Sequence, residues 1–193
     1  MKNKSLKVAI FHLGFFFSGG GERLVLEEAK GLAQLGHHVD IYAPIVDKKR
    51  CYPNLIKNFK IKRLFPNPSF RYPLRDFIGV MSSLIVTPLT FWRFRKYDIF
   101  LGANQPGHSI AYLLSKILKK PYLIFLALPA RILYPRQIDK EVGFGKGSYD
   151  AFYLVANLLK PLAIKLDRLS VLQATKFLAA GEYISKVFYQ TCK

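Results

Sequence analysis

The stretch FHLGFFFSGGGERLVLEEAKGLAQLGHHVDIYAP, Phe11 to Pro44, decides the fold. It follows a short apolar run, Leu6 to His12, rich in branched residues, which reads as a buried strand. Three consecutive glycines, Gly19 to Gly21, then lead into a segment of a different period. Leu24, Leu26, Ala29, Leu32, Ala33 and Leu35 recur on one broad side of a helix, and Gly36 follows as a stop signal. The next run, HVDIYA, reads as a second strand. Strand, helix and strand within about 40 residues is the length of a right-handed βαβ unit with parallel strands.

The alternation continues outward from this unit. FKIKRLF, Phe59 to Phe65, reads as an edge strand, and a helical stretch is expected from about Pro73 to Lys96. YDIFLGA is a strand, GHSIAYLLSKILKK a helix and PYLIFLAL the next strand. Pro129 to Asp150 reads as loop. AFYLVANLLKPLAIKLDRLSVLQA is helical with a kink expected at Pro161; KFLAA is a last strand and EYISKVFYQTCK a last helix. Repeated alternation predicts an α/β fold with a Rossmann-like, doubly wound, mostly parallel sheet. No internal repeat or low-complexity segment divides the chain, so residues 1–193 read as a single domain.

Composition bounds the function. The 193 residues suffice for a core, and 51% apolar content excludes a disordered chain. Thirty Lys and Arg against 12 Asp and Glu leave a net charge of +18, a field that attracts phosphate in nucleic acid, anionic lipid or phosphorylated ligands. No helix-turn-helix, zinc finger or RNP-like pattern is present, which argues against nucleic acid. Cys51 and Cys192 sit in no CxxC or Cys/His cluster, so neither a disulfide framework nor a metal site is expected and a reducing, cytoplasmic compartment is the simpler reading. The amino terminus carries no convincing secretory signal, because His12 and Gly14 interrupt its apolar stretch and no small-x-small cleavage site follows. The longest uncharged run, Phe77 to Trp92, contains Pro88 and its 16 residues fall short of the roughly 20 needed to span a bilayer.

In a doubly wound sheet, ligands bind beyond the carboxyl ends of the strands. Gly19, Gly20 and Gly21 stand there, at the mouth of a helix whose free N–H groups and dipole favour an anion. They read as a phosphate or diphosphate cradle, or as a tight capping turn; the spacing is not the GxGxxG dinucleotide pattern. Glu22, in the first helical turn, is explained by the dipole alone or by contact with the same ligand. His12 at the end of the first strand, and Asn104 and His108 in NQPGHSIAYLL, are candidates for ligand contact, against a structural histidine and a helix cap. His37 and His38 read as surface residues. GFGKG, Gly143 to Gly147, reads as a loop rather than a P-loop, and DKKR, Asp47 to Arg50, as a solvated turn. No nucleophile triad or metal-ligand cluster stands out, and no catalytic residue is assigned.

The segment GGGERLVLEEAKGLAQLGHHVDIYAP resembles the amino-terminal half of retaining glycosyltransferases of family 4, which have the GT-B fold. YDIFLGAN, LPARILYP and LDRLSVLQATKFLAAGEYISKVFYQ resemble later pieces of that half, in order, and LPARILYP resembles the subgroup acting on lipid-linked acceptors. The resemblance implies that this half binds a sugar acceptor, with Arg131 among the acceptor-side candidates, while the glycine loop faces the phosphates of a nucleotide-sugar donor. It implies no cofactor within the chain. Most of the donor would be held by a carboxyl-terminal half through a basic pair and a Glu-x7-Glu motif. That half is not among these residues, so the isolated chain is expected to lack turnover. In LALP, Leu126 to Pro129, Ala127 stands where the lipid-linked subgroup has a histidine, and Ala180 and Gly181 replace its Asn-Ser.

The remaining basic charge is interleaved with aromatics between Phe59 and Asp98. Arg71, Tyr72, Arg75, Trp92, Arg93, Arg95 and Lys96 are expected to meet an anionic membrane surface without crossing it, on the inner face; the alternative is a soluble basic surface with the apolar run as a core helix. Two rival readings remain at this stage: a non-catalytic binding module that keeps the fold, and a basic nucleic-acid-binding α/β protein.

Overall fold

The computed structural model describes residues 4–65, 74–127, 133–134, 137–141, 150–182 and 184–186. Six strands form one parallel sheet: β1 (Lys7–Phe11), β3 (His38–Ala43), β5 (Ile61–Arg63), β6 (Ile99–Ala103), β7 (Tyr122–Leu126) and β8 (Lys176–Ala179). Their spatial order is β5-β3-β1-β6-β7-β8, the doubly wound order in which the chain reverses direction between β1 and β6. β5 is the expected edge strand, and every described ladder in this sheet is parallel.

The alternation of β1 places its residues in two cores. Val8 and Ile10 pack with Val25, Leu26 and Ala29 of α1 (Gly20–Gln34) and with Ile56 of α2 (Pro53–Ile56). Ala9 and Phe11 face the other way, toward Phe94, Tyr97, Phe100 and the apolar side of α4 (Asn104–Leu118). α3 (Leu74–Leu89) and α6 (Asp150–Leu172) flank α4 on that second face. α1 ends as its sequence indicated, with Gly36 at φ 88°, a left-handed conformation that glycine adopts without a Cβ penalty.

Several expectations are revised. The helix expected from about Pro73 to Lys96 ends at Leu89; Thr90 breaks it and a separate 3-10 turn follows at Phe91–Phe94. The helix expected to start near Gly107 is preceded by an irregular turn, with Asn104 at φ 53° and Gln105 non-helical. Two two-residue strands, β2 (Gly14–Phe15) and β4 (Ile45–Val46), pair in parallel as a separate two-stranded sheet and were not anticipated. A short helix, α5 (Gln137–Glu141), lies in the stretch read as loop. The last expected helix and the GFGKG segment fall largely or wholly outside the described residues.

Candidate functional site

The reversal between β1 and β6 opens a crevice at the carboxyl ends of these two strands, because their connections leave in opposite directions. Phe11 pairs with Gly102 in the ladder, so His12 and Ala103 are the next residues out. α4 comes unusually close here. A Cβ on Gly107 would lie 2.1 Å from the Phe11 carbonyl oxygen, and one on Gly102 would lie 2.3 Å from His108 Cα. Only glycine permits this approach, and it brings the α4 turn against the end of β1.

α1 supplies the opposite wall. Gly19 is its N-cap, extended at φ −100°, with no side chain capping the helix. A Cβ on Gly20 would meet nothing within 4 Å, so the first turn is open. A Cβ on Gly21 would lie 3.3 Å from Asn104 Nδ2, which places the Asn104 amide beside the glycine loop. Asn104 is itself fixed, since its Oδ1 accepts the Ala127 N–H at 2.9 Å. Asn104 therefore does not cap its own helix; it ties the end of β6 to the end of β7.

Glu22 folds over the mouth of α1. Its Oε2 lies 2.4 Å from the position a Cβ on Gly19 would take, and its residue is 7% exposed. Burial raises its carboxyl above the ordinary value, partly offset by a hydrogen bond from its own backbone N–H. The carboxylate thus shares the helix terminus that an incoming anion would seek.

His12 is 5% exposed, and its Nδ1 lies 3.1 Å from the Ala103 carbonyl oxygen. A carbonyl only accepts, so Nδ1 carries the proton and Nε2 keeps a lone pair. That Nε2 is buried without a hydrogen-bond partner. Burial pulls the imidazole down to about 4, so the ring stays neutral and Nε2 stays an acceptor.

His108 lies deeper, behind Asn104. Its Nδ1 faces the Asn104 carbonyl oxygen at 2.9 Å and its Nε2 faces Asp167 Oδ1 at 2.7 Å. Asp167, on α6, also accepts hydrogen bonds from Gln105 Nε2 and, at 2.8 Å, from the Tyr134 hydroxyl. His108 is 1% exposed, so it buttresses the crevice floor from beneath. The expected site residues Gly19, Gly20, Gly21, Glu22, His12 and Asn104 are therefore gathered at one place, with His108 supporting them.

Arg131, Arg71 and Tyr72 lie outside the described residues, and Arg75 is placed only by its backbone in α3. Trp92 is 57% exposed. Arg93 donates from Nη1 to the Leu64 carbonyl at 3.4 Å, while the Arg95 and Lys96 cations lie over the rings of Phe91 and Tyr97. Among the described residues, no group of three or more His, Cys, Asp or Glu could hold a metal ion, and no helix is long and apolar enough to cross a membrane.

The glycine loop, the α4 turn and Asp167 all fall inside residues 18–187, which match the family model described as Glycosyltransferase Family 4. The chain belongs to glycosyltransferase family 4. It is 43% identical over 106 residues to an alpha-1,3/1,6-mannosyltransferase ALG2 of Debaryomyces hansenii, a match covering 51% of this chain and 22% of the relative. The counterpart from Candida glabrata is 44% identical over 61 residues, covering 31% of this chain and 12% of the relative.

The fold of this family 4 chain is that of GT-B glycosyltransferases. The crystal structure of Anabaena Alr3699/HepE in complex with UDP and glucose superposes with a TM-score of 0.59 at 15% identity, over 96% of this chain and 41% of that one. Arabidopsis thaliana UGT89C1 complexed with UDP gives 0.52 at 14% identity, over 93% and 43%. The chain thus spans less than half of each of these relatives.

Asp167, Gln105 and Tyr134 were not singled out from the sequence of this family 4 chain. Asp167 is the second residue of the LDRLSVLQATKFLAAGEYISKVFYQ segment that resembled the family. That pattern was the available signal, but its partners lie between 33 and 62 residues away in sequence.

Proposed function

We propose that this chain is the amino-terminal, acceptor-side domain of a GT-B glycosyltransferase, residues 1–193 forming one Rossmann-like unit that works with a carboxyl-terminal donor-binding half. The reading rests above all on the crevice where Gly19 to Gly21, Asn104 and the unpartnered His12 Nε2 converge. The donor is a nucleotide-sugar. Its phosphates approach the open N–H groups of α1 at Gly20 and Gly21, displacing the Glu22 carboxylate, and the Asn104 Nδ2 amide donates to the same anion.

The acceptor is a sugar hydroxyl. His12 Nε2 is a buried acceptor held neutral by its surroundings, and an O–H group satisfies it without any charge entering the crevice. The similarity to alpha-1,3/1,6-mannosyltransferases favours mannosyl transfer, and LPARILYP favours a lipid-linked acceptor. An acceptor of that kind requires the protein to work at a membrane surface. In this reading Arg71, Tyr72, Arg75, Trp92, Arg93, Arg95 and Lys96 meet anionic lipid at the cytoplasmic face. Arg131 lies on the acceptor side. The crevice supplies positioning and phosphate neutralisation, and no residue of this half is assigned as the base or nucleophile.

The deciding experiment mixes the chain with sugar nucleotides and lipid-linked acceptors, with and without a family 4 carboxyl-terminal half. Product is expected only when both halves are present. Sustained turnover by the chain alone would overturn the half-enzyme reading. Failure of any pairing to give product, with nucleoside diphosphate binding intact, would favour a binding module that kept the fold.

A further inference from the structure

α6 inverts the usual amphipathic arrangement. The side chains it buries include Asp167, at 2% exposure, and Ser170, at 0%. The side chains it shows to solvent include Leu158, Leu162 and Leu172, at 77%, 66% and 65%. Their spacing of four and ten residues, with Leu169 between, sets them along one side of the helix. Beside them runs an open groove of about 630 Å³ lined by Lys160, Pro161, Ile164, Lys165, Arg168 and Leu169. The groove pairs an apolar floor with a cationic rim, and it lies across the sheet from α1.

Asp167 is the one acid of α6 between Leu158 and Leu172, and it is buried against His108. α4 carries no acid, and neither does the 3-10 turn. Neither Lys160 nor Lys165 forms an ion pair with a described residue. The outward leucines of α6, with the exposed cations Lys165 and Arg168 beside them, match a surface that is apolar beneath and anionic on top.

We propose that the outer face of α6 docks on an anionic lipid bilayer, with Leu158, Leu162 and Leu172 entering the acyl boundary and Lys160, Lys165 and Arg168 meeting lipid phosphates. It builds on the membrane reading above and extends the contact from the Trp92 to Lys96 turn to a second helix on the same side of the sheet. A second copy of the chain is the poorer occupant, because a two-fold contact would bring the same cations face to face. Crossing the bilayer is excluded by Lys160, Lys165, Asp167 and Arg168 within a 23-residue helix. Lysine and arginine stems lie along apolar surface while their heads reach the phosphates.

The test is co-sedimentation of the full chain with phosphatidylcholine vesicles, with and without phosphatidylglycerol, at low and high salt. Binding is expected to require the anionic lipid. Leu158→Ser with Leu162→Ser should weaken it about tenfold at either salt, since the lost term is apolar area. Lys160→Gln with Lys165→Gln should weaken it by about fivefold per charge at low salt and less at high salt. Leu158, Leu162 and Lys165 are exposed and Lys160 is half-buried, so the urea midpoint of each variant is compared with wild type to exclude misfolding. Loss with Arg93→Gln, Arg95→Gln and Lys96→Gln, with no effect of either α6 pair, would overturn this inference and leave the earlier membrane reading standing. No binding to anionic vesicles would overturn both. A dimer dissolved by the leucine pair, without vesicle binding, would make a second copy the occupant and also overturn it.

Discussion

His108 Nε2 lies 2.7 Å from Asp167 Oδ1, and both side chains are almost completely buried. The other ring nitrogen of His108 faces the Asn104 carbonyl, so both nitrogens look at acceptors. With Gln105 and Tyr134 also donating to Asp167, one carboxylate joins α6, the α4 turn and the segment after β7. Burial alone would raise the Asp167 carboxyl, but the hydrogen bonds from His108, Tyr134 and Gln105 outweigh it and hold the group below its ordinary 3.8. Asp167→Asn should cost about 3 kcal/mol at pH 7, because it leaves buried donors facing an uncharged partner. The sign follows from the depressed value. The stabilisation is fully present above about pH 3.8 and is lost as the pH falls through the folded-state value. Urea unfolding at pH 7 and pH 3 checks this: the gap between wild type and variant should narrow at the lower pH.

His12 gives a second pH signature, from a neutral group. Its folded-state value of about 4 lies below the ordinary 6.5, so the unfolded chain takes up a proton first. Stability is therefore fully present above pH 6.5 and declines as the pH falls from 6.5 to 4. A separation of that size corresponds to a loss of up to about 3 kcal/mol. His12→Asn keeps a donor for the Ala103 carbonyl and removes the titration. Its stability should be flatter over this interval, measured as urea midpoints at half-unit steps of pH. A parallel decline in wild type and variant would show that His12 is not the titrating group.

The βαβ opening was legible because β1 is buried on both faces and so reads as a continuous apolar run, while α1 buries one face and displays the period of 3.6. β2 and β4 were not, since a two-residue ladder has no period. The regular part of α4 was placed from near Gly107, but the turn before it was not foreseen, because Asn104 at φ 53° and the packing of Gly107 against the Phe11 carbonyl are tertiary circumstances. Gly19 to Gly21, His12 and Asn104 were singled out because they stand at the ends of recognisable elements. Asp167 was not, because its role comes from side chains that only the fold brings to it. The outward leucines of α6 were not foreseen either: the segment read only as a helix, and Leu158, Leu162 and Leu172 are exposed while Asp167 and Ser170 are buried.

Gly20 separates cradle from cap. A Cβ there meets nothing, so Gly20→Val should fold normally apart from a helix-propensity change of well under 1 kcal/mol. A branched side chain would nevertheless cover the open N–H groups of the first turn. Nucleoside diphosphate binding, measured by calorimetry, should fall about tenfold or more with the melting temperature nearly unchanged. Equal affinity in wild type and variant would leave the glycines as a capping turn.

Glu22 should oppose anion binding at that same terminus until it is neutralised. Its carboxyl folds back over Gly19 and accepts its own backbone N–H, so it holds one of the groups a phosphate would use. Charge repulsion adds to this competition at close range, where water is partly excluded. Burial has already raised its value above the ordinary 4.5, so it takes up a proton at a higher pH than a free glutamate. Affinity for inorganic pyrophosphate should therefore rise as the pH falls from 7 toward 5, beyond what the titration of the pyrophosphate itself accounts for. Glu22→Gln should bind several-fold more tightly at pH 7 and lose most of that extra pH dependence, since it keeps the shape and removes the charge. Folding imposes the opposite preference. The raised value means that the charged carboxylate costs stability above its ordinary value and that this cost disappears as the pH falls through the folded-state value. Glu22→Gln should accordingly be at least as stable as wild type at pH 7 by urea unfolding. Weaker pyrophosphate binding in a variant of unchanged stability would mean that Glu22 holds the ligand site open rather than occupying it.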